Sequence, residues 1–470
     1  MNRRDKVLKL KSYFLLVIGC FIIGTSCRAQ VESIQEDGFI LLDNIADLYR
    51  YMGKNDTKVR LKAGNYQIDD AEHIRFMRFT GNNSHFDLSG VRLMVDTKLF
   101  SRSDLKKSDD GNSMYCAIEI SGNNVKLEGL YIETYGDLPG RQSKNKIFNI
   151  VGEDVTLKNV EVRTAGSSPW GYGYLYGLGG GDVRKMNGIR VGYPAKNVKL
   201  IACKVHMRAM GHAIFLQGAE NTVIEDCHVD GLLRTTDAML AETSGYGYDR
   251  KFYAGKGGYI EGTTVAENGK ILPGEIISLS EDGIRMYPEY HGHKTKNTII
   301  KDCTVFQMRR GICTGLSTSG DKVINCQVRD CVAAGFNVGN NDTLINCSAN
   351  ARYAEALCIP YKKAENAFVE LEILDSRNGK ANKLLAAING TGHKVILKTS
   401  NPDFIPDSFN IELSTLNGYA FYQRSGVHAT NIKLNNQTHC KVLLLKGTVD
   451  ANVKSQGEIV RNTIGEKVSD

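Results

Sequence analysis

The sequence predicts an all-β fold, a right-handed parallel β-helix solenoid with long side-loop insertions and an N-terminal cap. Two observations lead to it. A nine-residue pattern is repeated almost unchanged, as NTVIEDCHV at 221–229 and NTIIKDCTV at 297–305. Related short segments of alternating β-branched residues recur about every 20–25 residues, a period typical of solenoids. Coils of that length cannot hold a helix together with two or three strands.

The coils can be read directly from the chain. Each begins with a polar turn, often containing Asn, followed by alternation that suits a strand with one buried face. Coil openings of this kind include NNVKLEGLYIE from 123, EDVTLKNVEVR from 153, KNVKLIACKVH from 196, DKVINCQVRD from 321 and NDTLINCSAN from 341. A second short strand is expected at 187–192, 212–218, 282–287, 310–315 and 334–339.

The two ends of the chain predict separate segments. Residues 1–29 combine a basic stretch with a short apolar stretch that ends in small residues, as in an export signal. Lipid attachment at Cys27 or Cys20 would anchor the protein at the periplasmic or cell surface, whereas ordinary cleavage would release it. Residues 30–83 are expected to form a cap helix and a first coil, 84–450 the β-helix, and 451–470 a C-terminal tail.

The chain has 470 residues, a net charge of +7 and twelve cysteines. Its Lys and Arg are scattered, which disfavours nucleic acid and fits an acidic substrate. Five cysteines recur at similar places in their coils, which predicts a column of buried thiols and not a disulfide framework: Cys203, Cys227, Cys303, Cys326 and Cys347. In the coil at 153, we expect Asn159 to replace the cysteine. No CxxC pair suggests zinc.

Two insertions interrupt the coils, at about 165–186 and 230–281, both just before a second strand. Insertions from one position collect on one side of a solenoid, often the binding side. The first holds Trp170 and Tyr172 in a Gly-rich tract, and the second holds Tyr246 and Tyr248. Aromatic rings in such loops suit the flat apolar faces of sugars.

The second strands also predict a charged face. Alternation points one column inward: Ile189, Ile214, Ile284, Ile312 and Phe336. The remaining positions stack charged side chains on successive coils: Arg190, His212, Asp282, Arg285 and Arg310. Arg208, Arg234 and Arg309 lie in neighbouring turns. Packing does not explain this set. A surface ladder of solvated charges could, but its position between two aromatic insertions favours an anion-binding groove.

The export signal, the Asn-containing coils and the side loops resemble the carbohydrate-active β-helix proteins of the pectin-lyase-like superfamily over most of 80–450. That fold hosts lyases, hydrolases, transferases and epimerases, so the resemblance implies a carbohydrate substrate more strongly than one reaction. No motif diagnostic of pectate lyases is present, nor is the paired-Asp signature of polygalacturonases. The chain is also similar to the oligosaccharide dehydratases of algal ulvan degradation.

A groove of this kind suits β-elimination on a uronate in glycan degradation. Arg190, Arg285 and Arg310 would neutralise the carboxylate, with His212 as the base and Tyr246 or Tyr248 as the acid. Loss of a sugar from C4 would make the enzyme a polysaccharide lyase, and loss of water a dehydratase.

Two other functions stay open. A glycoside hydrolase or transferase would use two carboxylates from this set: Asp230, Asp237, Glu242, Asp249 and Asp282. A non-catalytic surface glycan-binding protein would need the aromatic residues and not His212. No cofactor is predicted, although a calcium ion could take the role of one arginine.

Overall fold

The computed structural model describes residues 37–107, 114–137, 140, 145–177, 182–255, 264–315, 320–379, 383–416 and 427–461. The predicted signal at 1–29, with Cys20 and Cys27, lies outside these residues. The predicted solenoid is confirmed, because long stacks of short strands pair in parallel from coil to coil. No helix among the described residues is long and apolar enough to span a bilayer.

One stack, sheet 1, is formed by the strands that were predicted as the second strand of each coil. Its thirteen strands within the described residues pair in parallel in chain order. They are Arg75–Phe79, Cys116–Ile120, Asn145–Ile150, Met186–Gly192, Ile214–Gln217, Asp282–Tyr287, Arg310–Cys313, Ala334–Asn337, Leu357–Ile359, Leu384–Ile388, Asn410–Leu413, Lys441–Leu444 and Ile459–Arg461.

The coil-opening strands form two further ladders. Ladder 2 contains Ile40–Leu42, Lys58–Leu61, Ser84–Asp87, Val125–Glu128, Thr156–Lys158, Lys199–Ile201, Val223–Glu225, Ile299–Lys301 and Lys322–Ile324. Ladder 3 contains Gly64–Ile68, Val91–Asp96, Tyr131–Tyr135, Glu161–Thr164, Lys204–Met207, His228–Asp230, Thr304–Phe306 and Gln327–Arg329. Both ladders pair with Thr343–Ala349, where they merge and continue as Phe368–Ile373, Lys394–Lys398, Lys433–Asn436 and Asn452–Ser455.

The Asn-rich turns keep the coils in register. Asn197, Asn221 and Asn297 all have positive φ, which Asn tolerates better than most residues. Their side chains bond from coil to coil: Asn297 donates to Asn221 and Asn221 donates to Asn197, each at 3.1 Å. The repeated opening Asn of NTVIEDCHV and NTIIKDCTV therefore belongs to one hydrogen-bonded ladder on adjacent coils.

The inward columns build the core. The predicted Ile column pairs strand by strand and is buried, as is the cysteine column, whose thiols are free. The expectation for Asn159 is wrong by one residue. Asn159 has positive φ and lies level with Ala202 in the turn, so the next residue, Val160, fills the buried cysteine position.

One end of the solenoid differs from its predicted boundary. A helix, Ile45–Tyr51, lies within the predicted cap, and the Asn44 side chain accepts from the Asp47 N–H at its N-terminus. The first strand, from Ile40, falls within the segment predicted as cap and first coil, whereas the last strand reaches Arg461, beyond the predicted end at 450. Residues 452–461 of the predicted tail are thus strands that pair with the preceding coils, because their neighbours leave open strand edges to extend.

The insertions leave the coils between Thr164 and Met186 and between Asp230 and Asp282. They contain the helices Gly173–Gly177, Thr236–Leu240 and Tyr246–Asp249, and the antiparallel pair Leu233–Thr235 with Ile276–Ser278. A third feature is a hairpin, Glu289–Tyr290 with His293–Lys294, which we call the 289–294 hairpin. Smaller elements are the 3-10 helices Thr97–Ser101 and Pro402–Phe404 and the parallel strands Gly390–Thr391, Ala429–Thr430 and Thr448–Val449.

Candidate functional site

A cleft of about 450 Å³ lies on the outward face of sheet 1. Its lining comes from successive strands, from the last residue of each insertion and from the 289–294 hairpin. The lining residues are Met114, Lys146, Lys185, Asn187, His212, Phe215, Gln217, Glu281, Tyr287, Tyr290 and His291. We refer to it as the sheet 1 cleft.

Strand register gathers these side chains. Lys146 lies beside Asn187 on the next coil, and the main-chain N–H of His212 donates to the Asn187 side-chain oxygen at 2.9 Å. Phe215 lies between Arg190 and Arg285 in the adjacent outward column. Because side chains alternate along a strand, in-register stacking puts every second residue of each coil into one surface.

His212 is held between Tyr287 and the main chain. Its Nδ1 accepts from the Asp282 N–H at 3.3 Å, so the neutral ring carries its proton on Nε2. That Nε2 lies 2.8 Å from the Tyr287 hydroxyl and 3.4 Å from Glu281 Oε2. Burial lowers the pKa of His212 to about 4, despite the nearby carboxylates. At neutral pH, His212 is therefore a hydrogen-bond donor to Tyr287.

Glu281 is ionised and forms an ion pair with Lys185. Its Oε1 accepts from Lys185 Nζ at 2.6 Å. Burial alone would raise the Glu281 pKa, but Lys185 and the other cations around it lower it to about 2. Burial also raises the pKa of Tyr287, so its hydroxyl stays protonated at neutral pH.

Two of the three arginines of the predicted charged face bind the Asp282 carboxylate instead of facing an open groove. Arg310 donates through Nε and Nη2 to the two carboxylate oxygens at 2.8 Å each, and Arg309 and Arg285 donate at 3.1 and 2.5 Å. Asp282 is fully buried and Arg310 is 1% exposed. Burial by itself raises the Asp282 pKa, but the three arginines hold it well below its usual range. The structure thus brings Asp282, Arg285 and Arg310 together as a buried ionic cluster, not as open substrate ligands.

Arg190 has a different environment. It donates to Asn149 and Gln217 at 2.8 Å each, and the Tyr290 ring lies over its guanidinium at 4.7 Å. Its Nη2 is buried and has no hydrogen-bond partner among the described residues. A Cβ on Gly192 would lie 2.2 Å from the guanidinium, so only glycine leaves room for it there.

Lys146 is a site residue that the sequence did not reveal. It is 1% exposed, and burial followed by repulsion from Arg190 lowers its pKa from 10.5 to about 7. A detectable signal existed: alignment of NKIFNI at 145–150 with MNGIRV at 186–191 places Lys146 level with Asn187. The same alternation places Tyr287 two residues after Arg285, on the outward face.

The predicted tyrosine acids lie elsewhere. Tyr246 packs against Tyr172 and Tyr176 in the insertions, with Arg250 over its ring. Tyr248 is 50% exposed and contacts Phe252. Neither lines the sheet 1 cleft.

The predicted sugar-binding aromatics instead join the two insertions. Tyr172 is buried and donates to Glu242 at 2.7 Å, while Trp170 packs against the same small core. Arg234 reinforces this junction by donating to Glu242 at 2.6 Å and to the Gly171 carbonyl at 2.9 Å. A Gly-rich aromatic tract has no local partner for its rings, so they form a core with the neighbouring insertion.

The remaining predicted residues also have partners. Arg208 donates to Asp230 at 2.6 Å, and His206 binds the same carboxylate on the outer face of ladder 3. Asp237 accepts from the Gly274 N–H, and Asp249 ends its helix. Within the described residues, no group of three or more His, Cys, Asp or Glu side chains is arranged to hold a metal ion.

One solved structure supports the fold, and a second is similar to the chain at a lower TM-score. A mannuronic acid-specific polysaccharide family 6 lyase from human gut microbiota aligns with a TM-score of 0.50 and 12% identity, over 90% of this chain and 83% of that one. A family 6 alginate lyase in complex with a trisaccharide aligns with a TM-score of 0.45 and 14% identity, over 90% and 86%. No protein-family model and no curated protein matches the sequence.

Proposed function

We propose that the protein catalyses β-elimination on a uronic-acid-containing oligosaccharide or polysaccharide, with the sheet 1 cleft as its active site. One observation carries the proposal. An amine with a pKa of about 7, Lys146, lines the same cleft as a tyrosine hydroxyl that bonds to a histidine, Tyr287 with His212. A base poised near neutral pH and a protonated acid are the two groups that elimination needs.

The steps follow from these protonation states. The neutral Lys146 amine takes the proton from C5 of the uronate, and negative charge develops on the carboxylate. The positive charge of Arg190, in the low-dielectric floor behind Tyr290, stabilises it. The C4–O bond breaks, and the departing oxygen takes the Tyr287 hydroxyl proton. The N–H of His212 stabilises the tyrosinate until the proton gained by Lys146 returns to it through solvent.

This assignment differs from the sequence-based prediction in three respects. Lys146 is the base, Tyr287 is the acid, and Arg190 alone of the three predicted arginines stabilises the carboxylate. His212 was expected to be the base, but its Nδ1 faces a main-chain N–H and its Nε2 bears the proton. It becomes a positioning residue that acts through Tyr287. The fold neighbour that acts on mannuronic acid, itself a uronate, supports the choice of substrate class.

Activity is tested by following ultraviolet absorbance of the unsaturated product with uronate oligosaccharides. Lys146→Met and Tyr287→Phe are each expected to lower kcat by about 10²–10⁴-fold. The rate should rise as pH increases through about 7, since Lys146 must lose its proton. Tyr246→Phe is the control, because that ring lies in the insertions, and it should retain activity.

Mass spectrometry then separates the two eliminations. Chain cleavage with an unsaturated end indicates a polysaccharide lyase, and loss of one water from an intact oligosaccharide indicates a dehydratase. New reducing ends without an unsaturated product would refute elimination in favour of a hydrolase or transferase. Binding without any product would leave a glycan-binding protein.

Location and metal use are separate proposals. The sequence of 1–29 supports export, with lipid attachment at Cys27 or Cys20 or release after cleavage. Labelling with a radioactive fatty acid, compared between Cys27→Ala and Cys20→Ala, identifies the attachment site. The steps above use only side chains of the chain, so chelation with EDTA is expected to leave the rate unchanged, and a loss restored by Ca²⁺ would contradict this.

A further inference from the structure

An exposed aromatic stack borders the sheet 1 cleft. The Tyr193 and His293 rings are parallel within 10°, with their centroids 3.5 Å apart. Tyr193 is nevertheless 40% exposed, and His293 is exposed as well. A tyrosine that is supported on one face by a second ring and still faces solvent offers a flat, apolar surface that the described residues leave exposed.

The main chain holds this stack in place. Tyr193 follows Gly192 at the end of its sheet 1 strand, and His293 belongs to the 289–294 hairpin. Gly218 lies between them: a Cβ there would be 2.9 Å from the His293 carbonyl oxygen and 3.1 Å from Tyr193 Cβ. The two rings thus meet across a close backbone approach that only glycine permits, and Gly218 itself has a φ of 71°.

The stack and the cleft share their elements. Gln217, which precedes Gly218, lines the cleft, and so do Tyr290 and His291 of the same hairpin. An oligosaccharide that has one sugar in the cleft and extends past Gln217 therefore contacts the Tyr193–His293 stack with its next sugar.

We propose that Tyr193, supported by His293, is a stacking subsite for the sugar next to the one that reacts. This deepens the proposed function and rests on it for the substrate class, an acidic oligosaccharide. A pyranose ring presents C–H groups on its face, which pack against an aromatic ring without requiring charge. Anion recognition in the cleft and stacking at its rim together favour a substrate of at least two sugars.

The test is calorimetric binding of uronate oligosaccharides to the full chain in a Tyr287→Phe background, which removes the proposed acid and so prevents turnover. Tyr193→Ala should weaken binding of a tetrasaccharide by roughly 3- to 10-fold and leave the monosaccharide unchanged. Tyr193→Phe should retain the original affinity, because the hydroxyl is not needed. His293→Ala should give part of the loss, and His293→Phe should restore it. Tyr253→Ala, at an equally exposed tyrosine of the long insertion, is the matched control.

Salt gives a second readout. Raising the ionic strength should weaken binding of all oligosaccharides, but the ratio of the affinities with and without Tyr193→Ala should stay constant, since stacking is uncharged. Equal loss for the monosaccharide and the tetrasaccharide, or no loss for either, would overturn the subsite. If the original chain forms no unsaturated product while the length-dependent loss remains, elimination fails and the subsite stands.

Discussion

Replacement of Lys146 by Met should stabilise the protein while lowering its activity. The amine is buried and close to Arg190, and burial is the main cause of its lowered pKa. A lysine in such a place favours the unfolded state, where water solvates the charge. Met has a similar length and no charge, so Lys146→Met removes this penalty and keeps the volume.

The magnitude follows from the pKa difference. The Lys146 pKa falls from 10.5 in the unfolded chain to about 7 in the folded chain. This difference corresponds to a loss of about 5 kcal/mol in the free energy of unfolding below neutral pH, where the amine is protonated in both states. Because the folded pKa is lowered, the penalty is absent above the unfolded pKa. It grows as pH falls from 10.5 to about 7, and it is constant below that.

Urea unfolding at several pH values measures this effect. Lys146→Met should be more stable than the original chain at about pH 6, and the difference should shrink by roughly 3 kcal/mol by about pH 9.5. Lys199→Met, at an exposed lysine of ladder 2, is the control and should show no such trend. A difference that does not change with pH would refute the assignment of Lys146 as a depressed amine, and with it the proposed base.

Three further changes test other buried groups of the solenoid. Asp282→Ala leaves three buried arginines without their carboxylate and should lower the free energy of unfolding by about 3–5 kcal/mol in urea titrations; a change under about 1 kcal/mol would contradict the ionic cluster. Gly192→Ala places a methyl group on the buried Arg190 guanidinium, so overpacking should lower Tm, and kcat for uronate oligosaccharides should fall as Arg190 is displaced; an unchanged kcat in the folded variant would argue against Arg190 as the group that stabilises the developing charge. Burial followed by the neighbouring Asp321 raises the pKa of Asp342, so stability that is present at acidic pH is lost as pH rises. Asp342→Asn should therefore lose less Tm than the original chain as pH rises through neutral, and equal pH curves would exclude this.

The repeats made the solenoid predictable. Parallel stacking demands the same residue type at the same place in each coil, so the Ile and Cys columns appear in the sequence as a period. Boundaries were less predictable, because end coils such as Asn452–Ser455 pair through main-chain groups and need no repeated side chains. The one-residue error at the cysteine position, predicted as Asn159 and filled by Val160, arose at a turn, where the positive φ of Asn159 points the next residue inward.

The site was predictable only in part. Register placed Arg190 and His212 on one face, and the structure brings both to the sheet 1 cleft or its floor. The pairing of Asp282 with Arg310 could not be foreseen, since opposite charges on adjacent coils can meet each other or a ligand. Trp170 and Tyr172 were predicted to bind sugars, but they pack in the core between the insertions. The sequence shows an aromatic ring and does not show which residues cover it.

The sequence by itself therefore determined the repeating unit, the inward columns and the points where insertions leave the coils, because these follow from local alternation and period. Only the tertiary structure decided the protonation of Lys146 and His212, the closure of the arginines on Asp282 and the exposure of Tyr193. These properties depend on desolvation and on partners from distant coils. Solvent exposure and charge pairing are set by the assembled surface, and no single coil of the chain contains them.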